Sequence, residues 1–296
     1  MIEASAPGRC GILGNPSDIY GGAVLSCSLA ERATCRLVPA DREEPPEDPR
    51  LWDAARSHYP DRHWRVTWHS DVPRSSGLAG STALLAATLA CLKGDIQDRA
   101  AFADEVRNAE LNGAGIACGY QDAFMAVHGG LRLMEFTGRD PDADIAPVQT
   151  TEFESELPFL LISTGVERLS GSVHGPMIAR WKAGERAVVD GMKEIGTLAV
   201  PGAENLKRGR LDRLAKAMRR NHEIVRDLGG SGEPIERLIA RCLEAGALAA
   251  KLAGAGLGGT VIALVEDPDR LQGALAAHGY ERFLRPRIGP GLLVNA

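Results

Sequence analysis

The sequence predicts an α+β protein of two domains, each built as a layer of helices on a layer of strands. Three observations predict it. A chain of 296 residues is long for one domain and suits two of about 150 residues each. Segments of period 2 and of period 3.6 occur in both halves, and helices follow strands irregularly, unlike a repeated β-α barrel. A polar, proline-containing stretch at residues 138–156 separates the halves, so the domains are expected over 1–150 and 151–296.

The elements follow in order. Residues 33–38 and 65–68 are short and strand-like, with an exposed loop expected at 39–49, where Pro45-Pro46 and several charges cluster. An apolar helix is expected over 81–93. A second spans 100–111, where Phe102, Val106 and Ala109 share a face at 3.6 spacing. Residues 130–136 alternate Leu131, Leu133 and Glu135 against Arg132, Met134 and Phe136, as a strand does. Beyond the boundary, 159–163 is a buried strand. Residues 211–228 form an amphipathic helix, with Leu211, Leu214, Met218, Val225 and Leu228 on one stripe. A further helix is expected over 235–252, ending at Gly254, and a β-branched strand over 260–266.

The bulk numbers exclude several classes of function. Net charge is −5, which argues against nucleic-acid binding through a broad basic surface. The six cysteines are scattered and form no Cys-x-x-Cys, so neither a zinc site nor a disulfide framework is expected. The first residues lack a basic, apolar leader, and the apolar run at 83–92 is about half a membrane span. A cytoplasmic protein without a membrane or nucleic-acid partner is expected.

Glycine is the exception to an ordinary composition. It accounts for 34 of 296 residues, about 11% against a usual value of about 7%. Sixteen of the 34 lie in four windows, at 8–22, 77–80, 113–130 and 254–259. The second reads Pro73-Arg74-Ser75-Ser76-Gly77-Leu78-Ala79-Gly80-Ser81-Thr82 before an apolar helix. Such a loop can turn successive N–H groups onto an anion at the positive end of a helix, with hydroxyls beside it for phosphate or Mg²⁺. An ordinary N-cap before a core helix would look alike. It is not a Walker A loop, since no Gly-Lys-Ser/Thr follows. In the first window Arg9 and Asp18 stand among small residues, suited to a phosphate or a carboxylate and to a substrate hydroxyl respectively, or else to a loop-rich N-terminus with an Asx-turn. Glu110, just before the third window, and Asp122 within it supply carboxylates. Phosphoryl transfer to a hydroxyl needs a proton acceptor and a metal ligand, although an isolated glutamate is more often a solvated helix residue. The fourth window does not fit dinucleotide binding, because it precedes a strand rather than opening a helix.

Three of these windows, in this order, resemble the GHMP kinase superfamily. Within it the chain resembles the glucuronokinases, through Gly14-Asn15-Pro16-Ser17-Asp18, the 73–83 loop, Gln121-Asp122 followed by His128-Gly129-Gly130-Leu131, and Ser170-Gly171-Ser172-Val173-His174 followed by Arg180-Trp181. The resemblance implies a two-domain fold, with an N-terminal ribosomal-protein-S5-like α/β domain and a C-terminal ferredoxin-like α+β domain. It implies an ATP- and Mg²⁺-dependent kinase acting on the anomeric hydroxyl of a small sugar acid such as glucuronate. By position, Asp122 is then the general base and Arg9 the cation beside it. Pro73, Gly77, Leu78, Ala79, Gly80, Ser81 and Thr82 hold the triphosphate, and Thr82 and Glu110 hold Mg²⁺. Asp18, Tyr20, His174 and Arg180 face the sugar. A sugar carboxylate needs a cation or amide donors, for which Arg74, His174, Arg180 and Lys182 are the candidates. Other acceptors of the superfamily (another sugar, a heptose phosphate, a mevalonate-like alcohol) and a non-catalytic sugar or nucleotide sensor stay open as readings.

Overall fold

The computed structural model describes residues 1–47, 49–141, 146–166, 171–254 and 259–295, without the side chains of 171–173. Two antiparallel sheets carry the fold. The first runs β10-β1-β2-β4-β5, with β3 also paired to β2. Its strands are β1 (Ile2–Leu13), β2 (Ala23–Pro39), β3 (Trp64–Ser70), β4 (Leu131–Glu135), β5 (Gln149–Glu152) and β10 (Leu293–Asn295). The second runs β7-β8-β6-β9, from β6 (Phe159–Ser163), β7 (Ala249–Leu252), β8 (Thr260–Leu264) and β9 (Phe283–Leu284).

Helices α1 (Arg50–Arg56), α2 (Gly80–Lys93), α3 (Arg99–Asn108) and α4 (Gln121–His128) cover one face of the first sheet. Their core includes Trp52, Leu85, Leu89, Phe102, Val106, Phe124 and Phe136, all within 1% exposure. The mean polarity of α3 hides this from composition, but the 102/106/109 spacing does not: all three side chains are buried. In the second half, α5 (Gly171–Lys182), α6 (Arg186–Lys207), α7 (Leu211–Asp227), α8 (Glu233–Glu244) and α9 (Pro268–Ala276) accompany the second sheet. A third core joins the halves. It sets Ile12, Leu13 and Leu25 of the first sheet against Leu161 and Ile262 of the second, and Leu214 and Met218 of α7.

The α+β expectation holds, with local corrections. Residues 2–13 are a strand, not a loop-rich terminus; Pro7, Gly8 and Gly11 are absorbed by irregular register against β2. The expected 33–38 strand is the end of the 17-residue β2, which serves β4 with residues 23–27 and β3 with residues 33–39. The helix expected over 235–252 stops at Glu244. Its last turn closes with the Ala247 N–H on the Cys242 carbonyl, and 249–252 is β7 instead. The glycine window at 254–259 therefore joins two strands and still opens no helix, although 255–258 lie outside the described residues. The long helix α6 has no counterpart among the expected elements; it carries Gly191, Gly196, Pro201 and Gly202, residue types that usually interrupt helices. Gly196 and Gly202 instead let α6 lie against Gly22 and Leu13. The position expected for the domain boundary, between 150 and 151, falls inside β5, and the chain ends in β10 on the first sheet.

Candidate active site

The loop between β3 and α2 is held in an unusual backbone. Ser75 (φ 51°) and Ala79 (φ 60°) are left-handed without being glycine. Such geometry costs roughly 1–2 kcal/mol per residue and concentrates at ligand clamps. The second sheet braces the loop from behind: a Cβ on Gly254 would stand 2.4 Å from the Gly77 carbonyl oxygen. With its shape fixed, the loop delivers the first amides of α2 into a cavity, the arrangement that binds anions.

The first turn of α2 is tied to Glu110. Ser81 Oγ donates to Glu110 Oε1 (3.1 Å) and Thr82 Oγ1 to Glu110 Oε2 (2.7 Å). Glu110 is not a solvated helix residue. It stands in a π-type turn, Ala109–Gly113, that continues α3, and is 2% exposed. Burial pushes its carboxyl up to about 7, against the pull of the Thr82 hydroxyl. Two hydroxyls and a carboxylate beside a loop of anion-binding shape are hard oxygen donors, and Mg²⁺ takes one or two carboxylates together with phosphate oxygens. The residues present fit that ion. Among the described residues no cluster of three or more His, Cys, Asp or Glu offers a rival metal site.

Arg9 links this loop to the other end of the cavity. Its backbone N–H donates to the Leu78 carbonyl (3.0 Å), Nη1 to the Gly77 carbonyl (2.7 Å) and Nε to Asp122 Oδ1 (2.7 Å). Burial works against the guanidinium charge, but Asp122, helped by Cys10 and Asp18, offsets it and raises the Arg9 pKa. Asp122 lies in the first turn of α4, with its side chain 23% exposed to the cavity. Asp18 sits in the short 3-10 turn Ser17–Tyr20, where Oδ2 accepts the Gln121 N–H at 2.9 Å. Any side chain at residue 119 would destroy this contact, since a Cβ on Gly119 would lie 2.1 Å from Asp18 Oδ2. Burial raises the Asp18 pKa, and the Asp122 charge adds to it. His174 enters from α5, and burial lowers its pKa, favouring the neutral imidazole.

One cavity of about 620 Å³ gathers Arg9, Asp18, Pro73, Gly77, Ala79, Gly80, Ser81, Thr82, Glu110, Asp122 and His174. Leu78 is buried behind the loop and contributes its carbonyl. Tyr20 and Arg180 do not line the cavity. The Tyr20 ring packs on Trp181 with centroids 4.6 Å apart. Arg180 is taken up by Glu185 (2.6 and 2.8 Å) and the Leu228 carbonyl (2.6 Å). Of the candidates for a sugar carboxylate, Arg74 and His174 line the cavity, and Lys182 does not. Ser170 lies outside the described residues, as do the side chains of 171–173. Sequence reasoning missed Lys251, which is fully buried behind this site. Its signal was a lone charge inside the apolar run 249–253.

Comparisons with known proteins identify the family and the fold. The family model for the GHMP kinases N terminal domain matches residues 50–130, and that for GHMP kinases C terminal matches 203–281, together more than half of the chain. Probable glucuronokinase 2 of Arabidopsis thaliana is 28% identical, over 92% of this chain and 87% of its own length. Mevalonate kinase of Aeropyrum pernix is 30% identical, over 67% of this chain and 60% of its own. In fold, the chain is similar to Lactococcus lactis galactokinase complexed with galactose (TM-score 0.77, 18% identity, 99% of this chain and 95% of that one). It is also similar to L. major mevalonate kinase in complex with R-mevalonate (TM-score 0.73, 17% identity, 97% and 95%). The chain belongs to the GHMP kinase family of phosphotransferases that act on hydroxyl groups.

Proposed function

We propose that the protein transfers the γ-phosphate of ATP to the anomeric hydroxyl of a uronic acid such as glucuronate, with Mg²⁺ at Thr82 and Glu110. The observation that carries the phosphotransfer is Arg9, which spans the phosphate loop and Asp122 with two 2.7 Å bonds. It sets the proton acceptor at a fixed place relative to the phosphates. The sugar oxygen attacks the γ-phosphorus and gives its proton to Asp122. The bond from that phosphorus to the β-bridging oxygen breaks, and ADP leaves. Arg9 faces the charge that develops, while the loop amides and the α2 N-terminus hold the triphosphate. Mg²⁺ bound at Glu110 would screen the phosphate oxygens. Asp18 accepts from a sugar hydroxyl, and the neutral His174 offers one donor to the acceptor.

The uronic acid rests on the likeness to two Arabidopsis thaliana glucuronokinases, 28% and 27% identical over 92% of the chain. An ATP-consumption assay across glucuronate, galacturonate, galactose, fucose, a heptose phosphate and mevalonate tests it. The expected result is the highest kcat/KM on glucuronate. Preference for a neutral sugar or for mevalonate overturns the acceptor, and ligand binding without ATP turnover on any of the six overturns catalysis.

A further inference from the structure

Lys251 of β7 is wholly buried, 0% exposed, where the second sheet meets the end of β1. Its Nζ donates to Asn15 Oδ1 (2.7 Å), to the Leu252 carbonyl (2.8 Å) and to the Gly11 carbonyl (3.3 Å). An ammonium has three donors and no acceptor, so its capacity is used up, and on neutral oxygens alone. A buried cation without a carboxylate is costly to keep. Burial pushes the group down to about 7. Arg9 of β1 adds to this and Cys10 of β1 opposes it, while His222 of α7 is the further titratable group that feels its charge.

Two of its three acceptors belong to the stretch that leads into the Asp18 turn. Gly11 lies two residues after Arg9 on β1, and Asn15 lines the cavity three residues before Asp18. Asn221 of α7 grips the same stretch, accepting from the Gly14 N–H (2.8 Å) and donating to the Asn15 carbonyl (3.0 Å). Three residues beyond Lys251, Gly254 abuts Gly77 of the phosphate loop. One strand end of the second sheet therefore touches both sides of the cavity.

We propose that Lys251 is a positioning residue: its hydrogen bonds hold the turn carrying Asp18 at a fixed distance from the phosphate loop, and so set acceptor affinity and turnover rather than nucleotide binding. This rests on the reading that Asp18 faces the acceptor.

Lys251→Met, one atom shorter and without the charge or any of the three bonds, tests it on the full chain. Amide hydrogen exchange without any substrate is expected to rise at least tenfold in peptides covering residues 14–20. Peptides covering 75–82 and β8 should stay within twofold. With the acceptor that the wild type phosphorylates, the acceptor KM should rise at least tenfold and kcat should fall, while the ATP KM stays within twofold. Lys251→Gln, which keeps amide donors, should fall between the two and carries the test if the Met variant does not fold. Unchanged exchange at 14–20 overturns the proposal. So does an equal rise across both sheets, or an ATP KM that rises as much as the acceptor KM. If the wild type phosphorylates no acceptor, the acceptor reading fails on its own, and the exchange experiment still decides the clamp.

Discussion

Asp122 and Glu110 are two cavity carboxylates in opposite settings, and each gives a prediction. Asp122 is paired and reaches the cavity. Asp122→Asn keeps its volume but removes its capacity to take a proton, so kcat at saturating substrates should fall by about 10²–10⁴. The buried Arg9 loses its counter-charge as well, so rates must be read well below the melting temperature of the variant. An unchanged kcat would remove Asp122 from the mechanism. Glu110 is buried and pushed up to about 7 from an ordinary 4.5. The sign follows from proton counting. Between pH 4.5 and 7 the folded state holds the proton that the unfolded state releases, so this group's contribution to stability is lost as pH rises through that window. Glu110→Gln cannot ionise, so its stability relative to wild type should grow from pH 4.5 to 7 and then level off, by at most about 3 kcal/mol. Urea melts across that range measure it. The same variant should need more Mg²⁺ for half-maximal activity at every pH, and in the wild type that requirement should rise as pH falls below about 7, since protonation removes the ligand. A pH-independent stability difference would show that Glu110 does not titrate where its burial puts it.

Elements of this protein are joined through glycines at the points where backbones touch. The β7 end and the phosphate loop are the closest case among them for function. In Gly254→Ala the new Cβ meets the Gly77 carbonyl oxygen at 2.4 Å, a backbone atom that cannot swing aside. The loop must move, at a cost of about 1–3 kcal/mol, and its left-handed residues Ser75 and Ala79 leave little room to absorb the shift. The ATP KM should rise at least tenfold with a smaller change in acceptor KM, the reverse of the pattern expected for Lys251→Met. Equal effects on both substrates would mean that the loop does not depend on this contact. What the sequence reveals about such elements follows from the same physics. The phosphate loop, Arg9, Asp18 and Asp122 were legible because glycine and hydroxyl residues cluster around isolated charges. Tyr20 and Arg180 are suitable residue types, but which face of α5 meets the cavity is decided by the Tyr20–Trp181 packing, and local spacing does not encode that. The helix α6 was illegible because the glycines that let it approach β2 are the residues that usually interrupt helices. At 249–252 the apolar run suits a helix or a buried strand equally, and only the partner strand β8 decides between them.

At the scale of the whole molecule, the two sheets are not separable along the sequence. The last strand, β10, pairs with β1 through Glu3↔Asn295, Ala4↔Val294 and Ser5↔Leu293. Just before it, Leu292 is 3% exposed within the core of the first half. Arg32 of β2 fixes the approach by donating to the Pro290 and Gly291 carbonyls (2.6 and 2.9 Å). Among the described residues, the opposite face of the first sheet has no α-helix of its own from the first 150 residues. It buries Ile12, Leu13 and Leu25 against α6, α7 and the second sheet. A fragment of residues 1–150 would expose that face, cut β5 short and lack both β10 and Leu292. Losing the Leu292 side chain alone costs about 2–5 kcal/mol in a packed core, a large part of the 5–15 kcal/mol that holds a domain together. The fragment should therefore show no cooperative thermal transition by circular dichroism and should bind a hydrophobic dye, whereas the full chain melts in one step. A cooperative melt of the fragment, with native-like near-ultraviolet dichroism, would show that the first sheet stands alone. In that case the phosphate loop and the Asp18 turn, both inside residues 1–150 and joined through Arg9 and Asp122, would keep their spacing without the second half, and the bonds from Lys251 and Asn221 and the contact at Gly254 would only refine it. A single transition for the full chain alone means instead that the shared core is needed for the cavity to form, with those contacts setting its spacing as both halves fold together.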